Sequence, residues 1–271
     1  MPDFRFHLTL SLCFLLLNAM TPPAANAETE PLRILSLSAA ATHILTALGH
    51  PPAAIDQYGL IAAGGNPPPV LGRGSAVSLE KITELQINCV ILWHYQRDSE
   101  PLFRSRGLQV LQIQPLRLHT YPELLTKLGK LTGKKERAAE LCAKFKEDLQ
   151  SLSDQQPARR PIRVYFELYS EWKAVGNQSF PGDLLRVSGG LCPVEKTSLL
   201  SPESILEFSP EVVFYIDGSA DPMELARRPG LSRSAAVRTR RIHAVDRRLI
   251  TEGLAILEAI DFFQQKLNEA R

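Results

Sequence analysis

Three adjacent side chains, Trp93, His94 and Tyr95, follow directly from the apolar run "CVILW" (89–93). Such a run reads as a buried strand, and open α/β sheets bind ligands beyond the carboxyl ends of their strands. Tyr169 and Trp172 hold the same kind of place after "IRVYFEL" (162–168). Aromatic faces from two strand ends would wall a pocket for a flat, largely apolar ligand. His94 adds a neutral imidazole able to ligate a metal centre, although a lone histidine at a strand end is more often only hydrogen-bonded. Trp93 also continues the alternation of its strand and reads equally well as core. Arginines form a second group: Arg238, Arg240, Arg241, Arg247 and Arg248. Guanidinium groups pair with carboxylates in a fixed fork. Most of these read as solvated surface, but "DRRLITEG" (246–253) follows the last strand. Arg247 or Arg248 would therefore reach a ligand at the cleft edge, and Arg248 is the candidate assigned.

Other chemistries are poorly supplied. No nucleophile–base pair, phosphate loop or H-E-x-x-H motif occurs, and "GGNPPP" and "LGRG" read as turns. Catalysis and a resident metal or cofactor are therefore not expected. Among the histidines, His43, His94 and His119 are a thin supply for a carrier of free zinc or manganese, and His43 is given no role. Cys89, Cys142 and Cys192 lack C-x-x-C spacing, which argues against a disulfide framework or structural zinc, and Cys89 reads as a buried hydrophobe. The net charge of +2 over 271 residues is too small to point to nucleic acid, and 44% apolar with 22% charged residues is a globular composition.

The elements that must position these residues alternate along the chain. Strands are predicted at 33–37, 54–58, 89–93, 108–113, 162–168, 212–216 and 242–245. Helices are predicted at 40–48, 79–85, 99–106, 121–131, 181–188, 202–208 and 252–268. This alternation predicts an α/β fold with mainly parallel sheets. One segment departs from it: "KKERAAELCAKFKEDLQSLS" (134–153) has no Gly or Pro and an apolar stripe at three- and four-residue steps. It predicts a single long helix, about 30 Å in length, joining two α/β lobes. The boundaries so expected are a signal peptide at 1–27, an N-terminal lobe at 28–132, a linking helix at 133–156 and a C-terminal lobe at 157–271. In the first segment Arg5 precedes "LTLSLCFLLLNAM", and small residues at Ala25 and Ala27 mark a cleavage site before Glu28, so export to the periplasm is expected. A membrane anchor and a lipidated Cys13 are weaker alternatives.

The chain also repeats itself. "SLEKITELQINCVILW" (78–93) and "SPESILEFSPEVVFYI" (201–216) align without a gap, sharing Ser78/Ser201, Glu80/Glu203 and Ile82/Ile205. Each is a short amphipathic helix running into a strand, with Ser as N-cap and Glu in the first turn, where the helix dipole favours a carboxylate. In both, the helix start would lie at the carboxyl edge of the sheet, on the rim of its lobe.

In order, "RILSLSAAATHILTALG", the first repeat, "LTGKKERAAELCAKF", "VGNQSFPGDLLRVSGG" and the second repeat resemble the helical-backbone, or class III, periplasmic substrate-binding proteins of ABC importers, over most of the mature chain. Members bind vitamin B12, heme or ferric siderophores. The resemblance implies two α/β lobes joined by one helix, a monomer that catalyses nothing, and delivery of a small metal chelate to a membrane permease with its ATPase. It also implies that Glu80 and Glu203 dock onto arginines of the permease. Tyr58 matches an aromatic of the family's first-lobe cleft wall. Two departures are present: "QINCVI" replaces the usual Pro–Asp before the first-lobe strand, and Gly74 and Thr197 stand where the B12-binding branch has tryptophans. A corrinoid is the first expectation for the transported ligand, with heme or a ferric siderophore next. Bilobal chelatases, which pair a His with a carboxylate in the cleft, are a more distant alternative.

Overall fold

The structure, a computed structural model, describes residues 31–154 and 160–271. The expected signal peptide and its cleavage site lie outside the described residues. Residues 32–271 form one compact unit built around two sheets.

Alternation along each strand decides how the sheets pack. The first sheet has four parallel strands, in the order Ala54–Ile55, Ile34–Ser36, Cys89–Trp93, Gln109–Ile113. Ile34, Cys89 and Ile91 point into a core shared with the rest of the molecule, while Leu35, Val90 and Leu92 face a separate cluster around Phe103. The second sheet repeats the scheme. Val212–Ile216 lies between Ile162–Glu167 and Ile242–Val245, all parallel, as Cys89–Trp93 lies between Ile34–Ser36 and Gln109–Ile113. Val164, Phe166, Val212 and Phe214 face the shared core, and Tyr165, Val213 and Tyr215 face a third cluster. With a period of two, one strand feeds two cores.

A helix of 20 residues, Lys135–Asp154, joins the sheets. Its Ala138 and Phe145 are buried in the shared core, and Leu141, Cys142, Leu149 and Leu152 pack against it. Gly129 brings the preceding helix, Tyr121–Leu131, against this one: a Cβ at Gly129 would lie 2.4 Å from that of Ala138. At the far end Gln264 donates to the Leu152 carbonyl at 2.9 Å, tying the long helix to the last one, Ile256–Asn268.

Some elements differ from expectation for local reasons. The second strand stops at Ile55, because the buried Asp56 side chain accepts the Gly59 N–H at 2.9 Å and starts a 3-10 turn over Gln57–Gly59. The last helix begins at Ile256 rather than at 252. A separate turn of helix, Arg247–Ile250, precedes it, and Gly253 bends the chain between them with a φ of 76°. The short strands Lys173–Ala174 and Ser198–Leu199 extend the second sheet in antiparallel fashion. Two-residue strands carry no periodicity, so they leave no signal to read.

Candidate ligand-binding site

The two lobes are held by contacts that cross from the segment after Ile113 to the second sheet's helices. Arg117 donates from Nε and Nη2 to the two carboxylate oxygens of Asp183, at 2.7 and 2.6 Å, and the Leu118 N–H adds a third bond at 3.1 Å. Burial alone would raise the Asp183 carboxyl. The Arg117 and Leu118 hydrogen bonds outweigh it and hold the group below its ordinary value. Close by, the Leu116 N–H donates to Glu252 Oε2 at 2.7 Å. Gly253 sits so tightly against the first helix that a Cβ there would lie 2.9 Å from the Ala40 Cβ.

Beside this junction opens a cavity of about 740 Å³. Three first-lobe segments build most of it: the loop into the first helix (Leu37–Ala40), the turn of Tyr58, and the hairpin Arg73–Ala76. Trp93, Tyr95 and Gln96 add the end of the central strand, and Arg247, Thr251 and Glu252 come from the second lobe. Asp56 fixes this wall, since one carboxylate oxygen accepts the Gly59 N–H and the other the Gly74 N–H at 3.1 Å. Turn and hairpin are thereby locked together, and burial raises the Asp56 pKa despite those bonds.

Each charged or aromatic wall residue is positioned. Arg73 donates from Nε to the Tyr58 hydroxyl at 2.8 Å, and its guanidinium lies 5.6 Å from the Tyr58 ring centroid. Trp93 packs against the shared core and also lines the cavity. Gln96 accepts the Trp93 N–H at 2.9 Å, which turns the chain so that Tyr95 stands exposed at the mouth. Arg247 lies 5.7 Å above the Tyr169 ring. Among the described residues neither Arg73 nor Arg247 pairs with a carboxylate. Glu252 is the one acidic residue in the lining, and burial pushes its carboxyl up to about 7 against the pull of the Leu116 N–H.

The structure thus brings Tyr58, Trp93 and Tyr95 together and sets four other predicted residues apart from the cavity wall. His94 stacks on Tyr95, with ring centroids 3.7 Å apart, and faces a neighbouring depression with Asp98 and Gln112. Burial lowers its pKa. Arg248 forks onto the Glu258 carboxylate, so Arg247 is the arginine that lines the cavity. Trp172 adopts a left-handed backbone (φ 64°) because its N–H is captured by Glu167 at 2.9 Å. Glu167 in turn binds the Tyr165 hydroxyl at 2.7 Å and Arg228 at 2.8 Å, and Arg228 covers the Trp172 ring. Trp172 therefore belongs to a buried ion-pair corner of the second lobe. Tyr169 stays exposed and reaches the site only through Arg247. Arg73 and Glu252 went unassigned in the sequence. The first read as part of a turn and the second as helix, and nothing local marks either as a wall residue.

Glu80 and Glu203 are both exposed in the first turns of their helices, Leu79–Glu84 and Pro202–Phe208, with Ser78 and Ser201 capping in the same way. A hydrogen bond from its own backbone N–H, then one from Ser201, holds Glu203 below the ordinary carboxylate value. Among the described residues no three of His, Cys, Asp or Glu gather to hold a bare metal ion, and no helix is long and apolar enough to cross a membrane.

A lobe-joining helix, two mainly parallel sheets and a cavity beside their junction define a class of solute-binding proteins, and residues 34–249 match the family model for periplasmic binding proteins. The chain belongs to that family. No curated protein sequence matches it. Similar solved structures include the periplasmic heme-binding protein BhuT in complex with two hemes, at 19% identity and a TM-score of 0.77, covering 88% of this chain and 98% of that one. The periplasmic vitamin B12-binding protein BtuF of Vibrio cholerae is 21% identical with a TM-score of 0.73, over 88% and 97%. An ABC transporter substrate-binding protein from Listeria monocytogenes EGD-e is 16% identical with a TM-score of 0.74, over 88% and 98%. At these identities the likeness is one of fold.

Proposed function

We propose that this protein captures a metal chelate carrying anionic groups in the cavity between its lobes and delivers it to an ABC permease. One observation carries the reading: three aromatic rings, Tyr58, Trp93 and Tyr95, share a cavity with two guanidinium groups, Arg73 and Arg247, that have no carboxylate partner among the described residues. A flat macrocycle or aromatic chelator buries its faces on the rings, and its carboxylates or phenolates meet Arg73 and Arg247. Heme and ferric siderophores have that chemistry, and BhuT, of similar fold, holds heme. A neutral corrinoid is the second reading. It is favoured by the aromatic trio taken alone and by the similar fold of the B12-binding BtuF. The role is capture, not catalysis, as in the family, and the protein acts after export.

The test is a titration of purified protein with hemin, ferric siderophores and cyanocobalamin, read by tryptophan quenching and visible absorbance. Of the two tryptophans only Trp93 lines the cavity. The quench should therefore survive in Trp172→Phe and be the more strongly reduced in Trp93→Phe. Saturation by an anionic chelate with weaker binding of cyanocobalamin is expected. The reverse order would select the corrinoid, and saturation by none would overturn the metal-chelate reading.

A further inference from the structure

Glu252 stands where no simple anion-binding wall would place a carboxylate. It lines the same cavity as Arg73 and Arg247. Its Oε2 is tied to the Leu116 N–H of the other lobe at 2.7 Å, while Oε1 has no protein partner among the described residues. That oxygen is not among the buried atoms lacking a partner, so it keeps some solvent access, in a residue that lines the cavity. Next to it Gly253 packs its backbone closely against Ala40 of the first helix.

We infer that Glu252 is a specificity-determining residue whose protonation state sets the affinity of the cavity for an anionic ligand. The inference rests on the proposed function. With the proton on, Oε1 offers a neutral hydrogen-bonding group to a ligand carboxylate or phenolate. With the proton off, it sets a second negative charge beside the ligand's own, in a partly desolvated site where like charges repel strongly. The ordinary carboxylate would be ionised throughout the physiological range, but burial moves this one to about 7. Arg73, Tyr58, Tyr95 and Arg247 share the cavity. His43 on the first helix opens on the adjacent cavity, together with the Arg248–Glu258 pair. Arg117, behind Leu116, is neutralised by Asp183. None of these displaces burial as the main influence on Glu252.

The sign follows from linkage. An anionic ligand binds the protonated form better, so its binding raises the Glu252 pKa further and takes up a proton. Affinity therefore falls as pH rises through the value of the free protein and is steady well below it.

The experiment measures Kd for hemin, a ferric siderophore and cyanocobalamin from pH 5.5 to 8.5, in the wild type and in Glu252→Gln. For the anionic chelate that binds, the wild type should weaken about tenfold over this range. Glu252→Gln, a permanently neutral isostere, should bind with little pH dependence, and the wild-type to variant ratio cancels any speciation of the ligand itself. Cyanocobalamin, net neutral and edged by amides in place of carboxylates, should give the same profile in both proteins. Saturation by an anionic chelate with identical profiles in the two proteins would overturn this inference alone. Saturation by none of the three overturns it together with the metal-chelate reading. Glu252→Asp, a shorter carboxylate, is the second variant: if it folds and retains a pH dependence that Gln lacks, the charge and not the side-chain shape is responsible.

Discussion

Arg247 illustrates how one side chain is selected from a cluster. Five arginines crowd the end of the chain between 238 and 248, and three-dimensional pairing sorts them. Arg248 is occupied by Glu258, Arg241 reaches the Ala270 carbonyl, and Arg238 bonds the Arg233 carbonyl. Arg247, held over Tyr169, is the one that lines the cavity. A hydrogen bond to a charged partner contributes roughly 1.5–3 kcal/mol. Arg247→Gln is therefore expected to weaken an anionic chelate about 10- to 100-fold while changing cyanocobalamin affinity little. Isothermal titration of both ligands checks this. Equal losses for the two would mean that the substitution deformed the cavity instead of removing a charge. The same residue-by-residue logic separates Trp93 from Trp172. Both follow strands, but the Glu167–Arg228 pair claims the second and leaves the first to the cavity.

Among elements, the long helix Lys135–Asp154 determines how stiffly the lobes are held. Its contact with Tyr121–Leu131 turns on Gly129. Two effects oppose each other there. Alanine in place of glycine favours a helix interior by about 1 kcal/mol. Its Cβ, however, would come 2.4 Å from the Ala138 Cβ and 3.1 Å from the Lys134 carbonyl oxygen. A contact that short forces the two helices apart, and overpacking typically costs about 1–3 kcal/mol. Since the obstruction includes backbone, the steric loss should win. Gly129→Ala is expected to lower stability by up to about 2 kcal/mol, seen as a lower urea midpoint with an unchanged m-value. A rise in the midpoint would show that propensity outweighs packing here. The Gly253–Ala40 contact makes the same demand between the lobes, and Arg117–Asp183 adds a buried ion pair to it. Helix, close contact and ion pair together imply small rocking of stiff lobes.

For the whole molecule, the repeated unit places one exposed carboxylate on each lobe. Glu80 and Glu203 share cap, turn and following strand. Helix capping accounts for either one alone; for the pair we propose docking onto two basic patches of a permease. Charges fixed at such separations govern encounter and orientation more than affinity. Reversing both, Glu80→Lys with Glu203→Lys, should reduce uptake in a reconstituted importer by at least about tenfold and leave the chelate Kd unchanged, because neither residue touches the cavity. Unchanged uptake would return both glutamates to capping.

The repeat, the alternation of strands with helices and the long Gly-free helix were all legible in the amino-acid order. They are local patterns with periods of two or 3.6 residues, and burial of an apolar face follows directly from such a period. The aromatic run at the end of Cys89–Trp93 was legible for the same reason, since a strand end is a place in the topology. Tertiary structure decided which of several equivalent side chains line the cavity. Arg247 lines the cavity and Arg248 does not, because Glu258, ten residues further on, reaches only one of them. Glu252 became a buried, elevated carboxyl because a loop of the second lobe presses against Leu116 and Ala40 of the first. Sequence carries the periodicities that build elements. The desolvation and pairing of an individual charge depend on neighbours far away along the chain, and only the folded packing supplies them.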